Sequence, residues 1–120
     1  MPSLNCPIMD VYHEEFEALL VAFDRSDFVG SFEKLVAHTV MHFAHEETLM
    51  KEHHFQGYSE HKEEHQKILN ELNYFYEMAK NGRTVFAKNY IDNGIEERFD
   101  LHVRNIDSQL AMFLKSQNAY

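Results

Sequence analysis

The stretch FEKLVAHTVMHFAHEETLM, residues 32–50, repeats apolar side chains at steps of three and four residues. That spacing places them on one face of an α-helix, so the stretch predicts a long amphipathic helix. His42 and Glu46 lie on the same face, one turn apart, although burying an unpaired polar group is costly. The stretch therefore predicts a helix whose buried face carries a polar site.

Three further stretches have helical periodicity, and short breaks separate all four. The predicted helices run from about Asp10 to Asp24, from Ser26 or Asp27 to about His53, from Ser59 to an exit at Asn81-Gly82, and from Thr84 onwards. Asp10 and Ser59 are the predicted N-caps, and Asn93-Gly94 predicts a kink or a split in the fourth helix. Short connections make consecutive helices antiparallel. The predicted fold is all-α, an up-down-up-down four-helix bundle with a short N-terminal arm, in a single domain, residues 1–120.

Charge and composition restrict the class of protein. The chain has 20 Asp and Glu against 11 Lys and Arg, and its formal charge of −9 repels nucleic acid phosphates. The N-terminus lacks the basic and apolar segments of an export signal, and no run of about 18 apolar residues predicts a membrane span. We therefore expect a cytoplasmic protein with no nucleic acid or membrane partner. Cys6, the only cysteine, is expected in a flexible leader, so a metal site would have to use His and carboxylates.

Polar side chains interrupt the apolar face of each predicted helix. They are His13 on the first helix, His42 and Glu46 on the second, His61 and His65 on the third, and His102 and Asp107 on the fourth. Pairs four residues apart direct both side chains to a common centre. The five-residue step rotates Asp107 further round its helix, yet a short carboxylate can still lean toward the same axis. A purely structural core would not collect seven titratable groups, so the pattern predicts a metal site. The alternative is a set of half-buried surface histidines on poorly phased helices.

The number of candidate ligands indicates which metal they suit. Five imidazoles and two carboxylates are too many for one tetrahedral zinc ion, but they suit two first-row ions that share the carboxylates, and iron is the natural candidate. The other histidines are expected outside the site: His38, and His45, His53 and His54 near the exposed end of the second helix. His53 lies close enough to the His42 face to leave an inward orientation open.

The order of these residues resembles the hemerythrin family, in particular the single-domain bacteriohemerythrins, over roughly residues 9–115. The matching motifs are Met9-Asp10-x-x-His13, His42-Phe43-x-x-Glu46-Glu47-x-Leu49-Met50, His61-Lys62-x-Glu64-His65 and His102-Val103-x-x-x-Asp107. The resemblance implies two iron ions beside an oxo or hydroxo bridge. The implied ligands are His61, His65 and His102 for one iron, His13 and His42 for the second, and Glu46 and Asp107 as bridges. The second iron would keep one open position.

The resemblance also implies a pocket beside the open iron position. Its expected apolar walls are Phe16, Phe43, Leu69 and Phe99. These side chains would exclude water from the pocket. Ordinary packing of the core explains apolar residues at these positions equally well. Two charged residues replace side chains that are commonly aromatic in the family: Glu17, one turn after His13, and Arg98, one turn before His102. Three interpretations of Glu17 stay open: it approaches the open iron, forms a buried ion pair with Arg98, or points to solvent.

The expected function is non-enzymatic binding of dioxygen, or of another small diatomic ligand, for storage, delivery or sensing. A diiron enzyme of the peroxide, nitric oxide or ferroxidase type is the alternative, because an added carboxylate such as Glu17 near the open iron favours irreversible O2 activation. A third alternative is an acidic interaction module whose histidines hold no metal.

Overall fold

The computed structural model describes residues 1–120, and every regular element in it is a helix. The four long helices are α1 (Pro7–Val21), α2 (Phe28–Glu52), α3 (Tyr58–Lys80) and α4 (84–116). The prediction of an all-α fold with four helices is confirmed, whereas the up-down order of the helices stays a prediction. No helix combines the length and the apolar character that crossing a bilayer requires.

The first helix begins and ends three residues earlier than the sequence predicted, at Pro7 and Val21. Pro7 lies in the first turn, where its missing N–H costs nothing. Asp10 is therefore not the N-cap. Its carboxylate accepts hydrogen bonds from the backbone N–H groups of Leu4 and Cys6, at 2.9 and 3.1 Å, and so fixes the N-terminal arm. Cys6, which was expected in a flexible leader, is fully buried.

The second helix begins close to the predicted Ser26 or Asp27, whereas the start of the third helix differs from the prediction. Asp27 caps α2, and its carboxylate accepts a hydrogen bond from the N–H of Gly30 at 3.3 Å. Ser59 does not cap α3, because that helix already begins at Tyr58 and no side chain caps it. Gly82 follows the end of α3 with φ of +80°, the left-handed conformation expected at a helix exit.

The fourth helix is continuous but contains two π-helical turns. Its segments are Thr84–Asn89, Tyr90–Gly94, Ile95–His102, Val103–Asp107 and Ser108–Ser116. The first π turn lies where Asn93-Gly94 predicted a kink. The second was not predicted, and its i→i+5 spacing brings residues five apart to the same side of the helix. This turn explains how Asp107 reaches the same centre as His102 despite the five-residue step.

Two apolar clusters fill the interior. The phenylalanine cluster contains Phe16, Phe28, Phe32, Leu35, Phe43, Ile68, Leu72, Ala79, Ala87, Tyr90, Ile91, Ile95 and Phe99. The methionine cluster contains Cys6, Met9, Leu49, Met50, Leu110, Ala111 and Leu114, with Tyr58 packed against it. On each helix the candidate ligands lie between a residue of one cluster and a residue of the other. In chain order from α1 to α4, these flanking residues are Met9 and Phe16, Leu35 and Leu49, Tyr58 and Ile68, and Phe99 and Leu110.

Candidate metal centre

A polar layer of five imidazoles and two carboxylates lies between the apolar clusters. This seven-residue cluster consists of His13, His42, Glu46, His61, His65, His102 and Asp107. None of its members is more than 4% exposed. It divides into a three-His group (His61, His65 and His102) and a two-His group (His13 and His42), and both groups share the two carboxylates. Within each group the potential ligand atoms lie within 4.8 Å of one another.

In the three-His group, every imidazole directs its Nε2 atom at a carboxylate oxygen. The Nε2 atoms of His61 and His65 lie 3.1 and 3.0 Å from Oε1 of Glu46. The Nε2 atoms of His61 and His102 each lie 3.0 Å from Oδ1 of Asp107. One oxygen of each carboxylate therefore faces this group.

The two-His group faces the other oxygens of the same carboxylates. Nε2 of His42 lies 2.6 Å from Oε2 of Glu46, and Nε2 of His13 lies 2.9 Å from Oδ2 of Asp107. Nε2 of His13 is also 3.9 Å from Oε2 of Glu46. Each carboxylate thus directs one oxygen toward each group, which is the orientation of a carboxylate that bridges two metal ions.

The donor geometry fits metal coordination. Nε2 of His102 and Oδ1 of Asp107 lie 3.0 Å apart, yet both atoms lack a hydrogen-bond partner. Ligand atoms about 2.1 Å from one octahedral ion lie about 3 Å from each other, which is close to the separations found in both groups. Imidazole nitrogen together with carboxylate oxygen is a donor set that first-row ions accept. The cluster can therefore hold metal.

Without metal, the carboxylates and imidazoles of the cluster shift each other's pKa values. Burial lowers the pKa of His61, but the Asp107 and Glu46 carboxylates outweigh burial and raise it to about 9. Burial also lowers the pKa of His13, and its hydrogen bond to Asp107 reverses the direction and raises it. Burial raises the pKa of Glu46 and of Asp107, but the imidazoles facing them hold both well below the usual range. In the metal-free cluster, a protonated His61 therefore faces ionised carboxylates.

The outer Nδ1 atoms of the imidazoles have unequal surroundings. Nδ1 of His65 lies 3.0 Å from Oε2 of Glu47. The Nδ1 atoms of the other four have no hydrogen-bond partner: His13, His42, His61 and His102. Oε1 of Glu64 is 3.8 Å from Nδ1 of His102, beyond hydrogen-bond distance. Sequence reasoning assigned no role to Glu47 or Glu64, although both belong to the quoted motifs and adjoin the ligands Glu46 and His65.

The four predicted pocket walls differ in their relation to the cluster. Phe43 stacks on the His65 ring with centroids 3.8 Å apart. Phe16 and Phe99 stack on each other at 4.1 Å in the adjacent phenylalanine cluster. Leu69 is only partly buried and packs against that same cluster. A fifth residue, Tyr12, was not predicted, and its ring stacks on His42 at 5.4 Å.

Glu17 and Arg98 do not form the ion pair that the sequence left open. Oε1 of Glu17 lies 3.1 Å from the Met1 amine, and its side chain is 43% exposed. Arg98 instead contacts two acids of α3, Glu64 at 2.7 Å and Glu71 at 3.4 Å. Glu17 is also absent from both groups of potential ligands, although it lines a cavity together with His13. Glu17 is bound to the N-terminal arm.

The remaining histidines lie outside the cluster. They are His38, His45, His53 and His54. His38 Nε2 lies 3.1 Å from Oε1 of Glu15, a partner on α1. The inward orientation left open for His53 does not bring it to the cluster.

A small cavity lies between the N-terminal arm and His13 of the two-His group. Its volume is about 170 Å³. It is lined by Met1, Pro2, Ser3, Asp10, His13, Glu14 and Glu17. His13 is the cluster residue in this lining, so the cavity borders the two-His side of the polar layer.

Known proteins do not identify the chain. Comparisons with protein-family models, curated proteins and solved structures found no match to it. The resemblance to hemerythrins therefore rests on the ligand motifs of the sequence and stays a prediction.

Proposed function

We propose that this protein binds two iron ions in the seven-residue cluster and, through them, binds dioxygen reversibly. The observation that carries the proposal is the orientation of Glu46 and Asp107. Each carboxylate has one oxygen near the three-His group and the other near the two-His group. A single ion would not require both carboxylates to divide their oxygens in this way.

The two groups differ in the number of donors they offer. Three imidazoles and two carboxylate oxygens give five donors on one side, and two imidazoles and two oxygens give four on the other. Tetrahedral zinc takes four donors, whereas six-coordinate iron would leave more room in the two-His group. A bound ferrous pair would supply two electrons and an open coordination position for a small diatomic ligand.

The up-down-up-down order of the helices is part of the proposal. The methionine cluster comes first along α1 and α3, and the phenylalanine cluster comes first along α2 and α4. This alternation supports helices that run in opposite directions through the same two clusters. Such a bundle is a common scaffold for metal sites built from inward-facing side chains on different helices.

The chain's own residues would hold the ions and keep water from them. Five imidazoles would bind through Nε2, and because metal-bound imidazole is neutral, loading would release the protons that the metal-free cluster holds. Phe43 covers the face of His65, and Tyr12 covers the face of His42. The cavity at His13 supports entry of a small ligand on the side with fewer donors.

We favour reversible binding over a diiron enzyme. The enzyme was an alternative because Glu17 could add a carboxylate at the open iron, and Glu17 is not among the potential ligands. Glu17 pairs with the Met1 amine and belongs to neither ligand group. Glu47 and Glu64 lie at the outer Nδ1 atoms, on the far side of the imidazoles from the converging Nε2 atoms. No acid beyond the two shared carboxylates therefore reaches the ligand atoms in the structure.

Anaerobic loading with Fe(II), followed by air, tests the proposal. We expect a visible charge-transfer band that forms with air and disappears when oxygen is removed by degassing. The cycle should repeat. Immediate and permanent conversion to a diferric product would support the enzyme instead, and absence of bound iron would contradict both.

Two single variants control this experiment. His102→Ala removes a ligand of the three-His group and should abolish the band. His45→Ala removes a histidine outside the cluster and should leave both the band and the iron content unchanged. If His45→Ala loses the band as completely as His102→Ala does, the assignment of ligands is wrong.

A further inference from the structure

The two groups of potential ligands differ in their outer contacts as well as in their number of donors. In the three-His group, Nδ1 of His65 has a carboxylate partner, Glu47, at 3.0 Å. In the two-His group, Nδ1 of His13 and Nδ1 of His42 have no partner. A carboxylate hydrogen-bonded to an outer Nδ1 atom is therefore present only on the three-His side of the polar layer.

Glu47 is well placed to act on His65 alone. It follows the shared ligand Glu46 on α2, its side chain is 23% exposed, and its only ion-pair contact is with His65. When Nε2 of an imidazole binds metal, the proton is on Nδ1 and is donated to such a carboxylate. That hydrogen bond fixes the ring and makes Nε2 a stronger donor.

A second carboxylate reinforces the same side. Oε1 of Glu64 lies 3.8 Å from Nδ1 of His102, too far for a hydrogen bond but close enough for its charge to act. Arg98 contacts Glu64 at 2.7 Å and fixes it, and it also offsets part of its charge. The contribution of Glu64 is therefore smaller than that of Glu47.

We propose that Glu47 is a positioning residue that makes the three-His group the tighter and first-filled of the two metal positions. The inference rests on the proposed two-metal function and adds an order of loading to it. The two-His group has one imidazole fewer and no carboxylate bonded to an Nδ1 atom, and it is filled second.

Titration of the metal-free full chain with Co(II), followed by its visible absorption bands, tests the order of loading. The wild type should bind two Co(II) in a tight step and a weaker step. His13→Ala should lose the weaker step and keep the tight one. Glu47→Ala should weaken the tight step about 10- to 100-fold, the usual effect of removing an outer-sphere partner of a ligand. Glu47→Gln keeps an acceptor without the charge, so its effect should be smaller than that of alanine.

Glu63→Gln is the matched control, since this α3 acid is 72% exposed and contacts only Lys67. It should leave both steps unchanged. The proposal on Glu47 is overturned if the tight step has wild-type affinity in both Glu47→Ala and Glu47→Gln. It is also overturned if these substitutions change the Co(II) affinity of the weaker step alone. A wild type that binds no Co(II) would overturn the two-metal function itself, so the two failures are distinguishable. If Glu47→Ala does not fold, Glu47→Gln alone decides the result by the same criterion.

Discussion

The polar layer and the phenylalanine cluster are buried equally well but for different physical reasons. Phe32 and Leu35 are fully buried, and so are Glu46 and Asp107. Removing the apolar side chains from water stabilises the fold directly. Burying the carboxylates is costly unless an opposite charge compensates them, and buried ionic groups can often be replaced by apolar residues without loss of stability. The polar layer is therefore better explained by a function than by the needs of folding.

Metal binding should change the stability that the polar layer contributes, but not the stability that the phenylalanine cluster contributes. The phenylalanine cluster contributes the same stability with or without metal. In the polar layer, protons on the imidazoles compensate the carboxylates in the metal-free protein, and metal ions would replace those protons. The two regions should therefore respond differently to mutation, to metal and to pH.

The largest expected effect is that of a matched pair of substitutions. Phe32→Ala should destabilise the metal-free and the metal-loaded protein alike, by about 3–5 kcal/mol, because both keep the cavity. His61→Ala should remove the stabilisation by the metal ion of the three-His group and cost less in the metal-free form. Denaturant unfolding of both variants in both states measures this. Equal losses for His61→Ala in the two states would contradict the distinction between the regions.

Metal itself should stabilise the wild type. At a free concentration about 1,000-fold above Kd, one bound ion adds about 4 kcal/mol if the unfolded chain does not bind it. Anaerobic thermal unfolding with Fe(II), and again after a chelator, should show a large and reversible shift in Tm. A Tm that changes neither with Fe(II) nor with the chelator would mean that the polar layer does not bind metal in the folded state.

The response to pH should have opposite signs in the two forms. In the metal-free protein the pKa of His61 is about 9 and that of His13 is also raised, so their stabilisation is present below the unfolded value of about 6.5 and is lost as pH rises to about 9. For His61 this is at most about 3 kcal/mol. In the metal-loaded protein, protons compete with metal, so stability falls below about pH 6.5 instead.

Tm measured from pH 6 to 10 in both forms checks this difference. The metal-free Tm should fall across the range, and the metal-loaded Tm should stay high. A metal-free Tm that rises with pH would show that the imidazoles of the cluster are neutral in the folded state.

The smallest effect is expected for Glu17. Its contact with the Met1 amine involves a side chain that is 43% exposed, and exposed ion pairs contribute about 0–1 kcal/mol. Glu17→Gln should therefore change stability by less than about 1 kcal/mol and leave metal affinity unchanged. Calorimetry and metal titration measure the two quantities. A clear change in metal affinity would restore Glu17 to the metal site and favour the enzyme.

Much of the fold and of the ligand cluster could be predicted from the sequence, because helical periodicity is a local property. The three- and four-residue steps in residues 32–50 were enough to place His42 and Glu46 on a buried face. The same reasoning located ligands on the other helices. The sequence also predicted Asp107 as a ligand, but not the π turn that places it beside His102, because apolar spacing does not encode this irregularity of α4.

Contacts between distant parts of the chain were the other features that the sequence could not supply. Asp10 looked like a helix cap, but its carboxylate holds the N-terminal arm by binding backbone N–H groups. Arg98 was considered as a partner of Glu17, but it pairs with Glu64 and Glu71 on α3. Which of several acids a long side chain meets depends on helix rotation and tertiary packing, neither of which the spacing of residues determines.

The iron content of the protein tests the two-metal interpretation of the polar layer most directly. After anaerobic loading with Fe(II) and removal of unbound metal, elemental mass spectrometry should find two iron atoms per wild-type chain. The double variant His61→Ala, His102→Ala removes two ligands of the three-His group and should hold at most one. A wild type with no bound iron, or a double variant with as much iron as the wild type, would contradict the assignment.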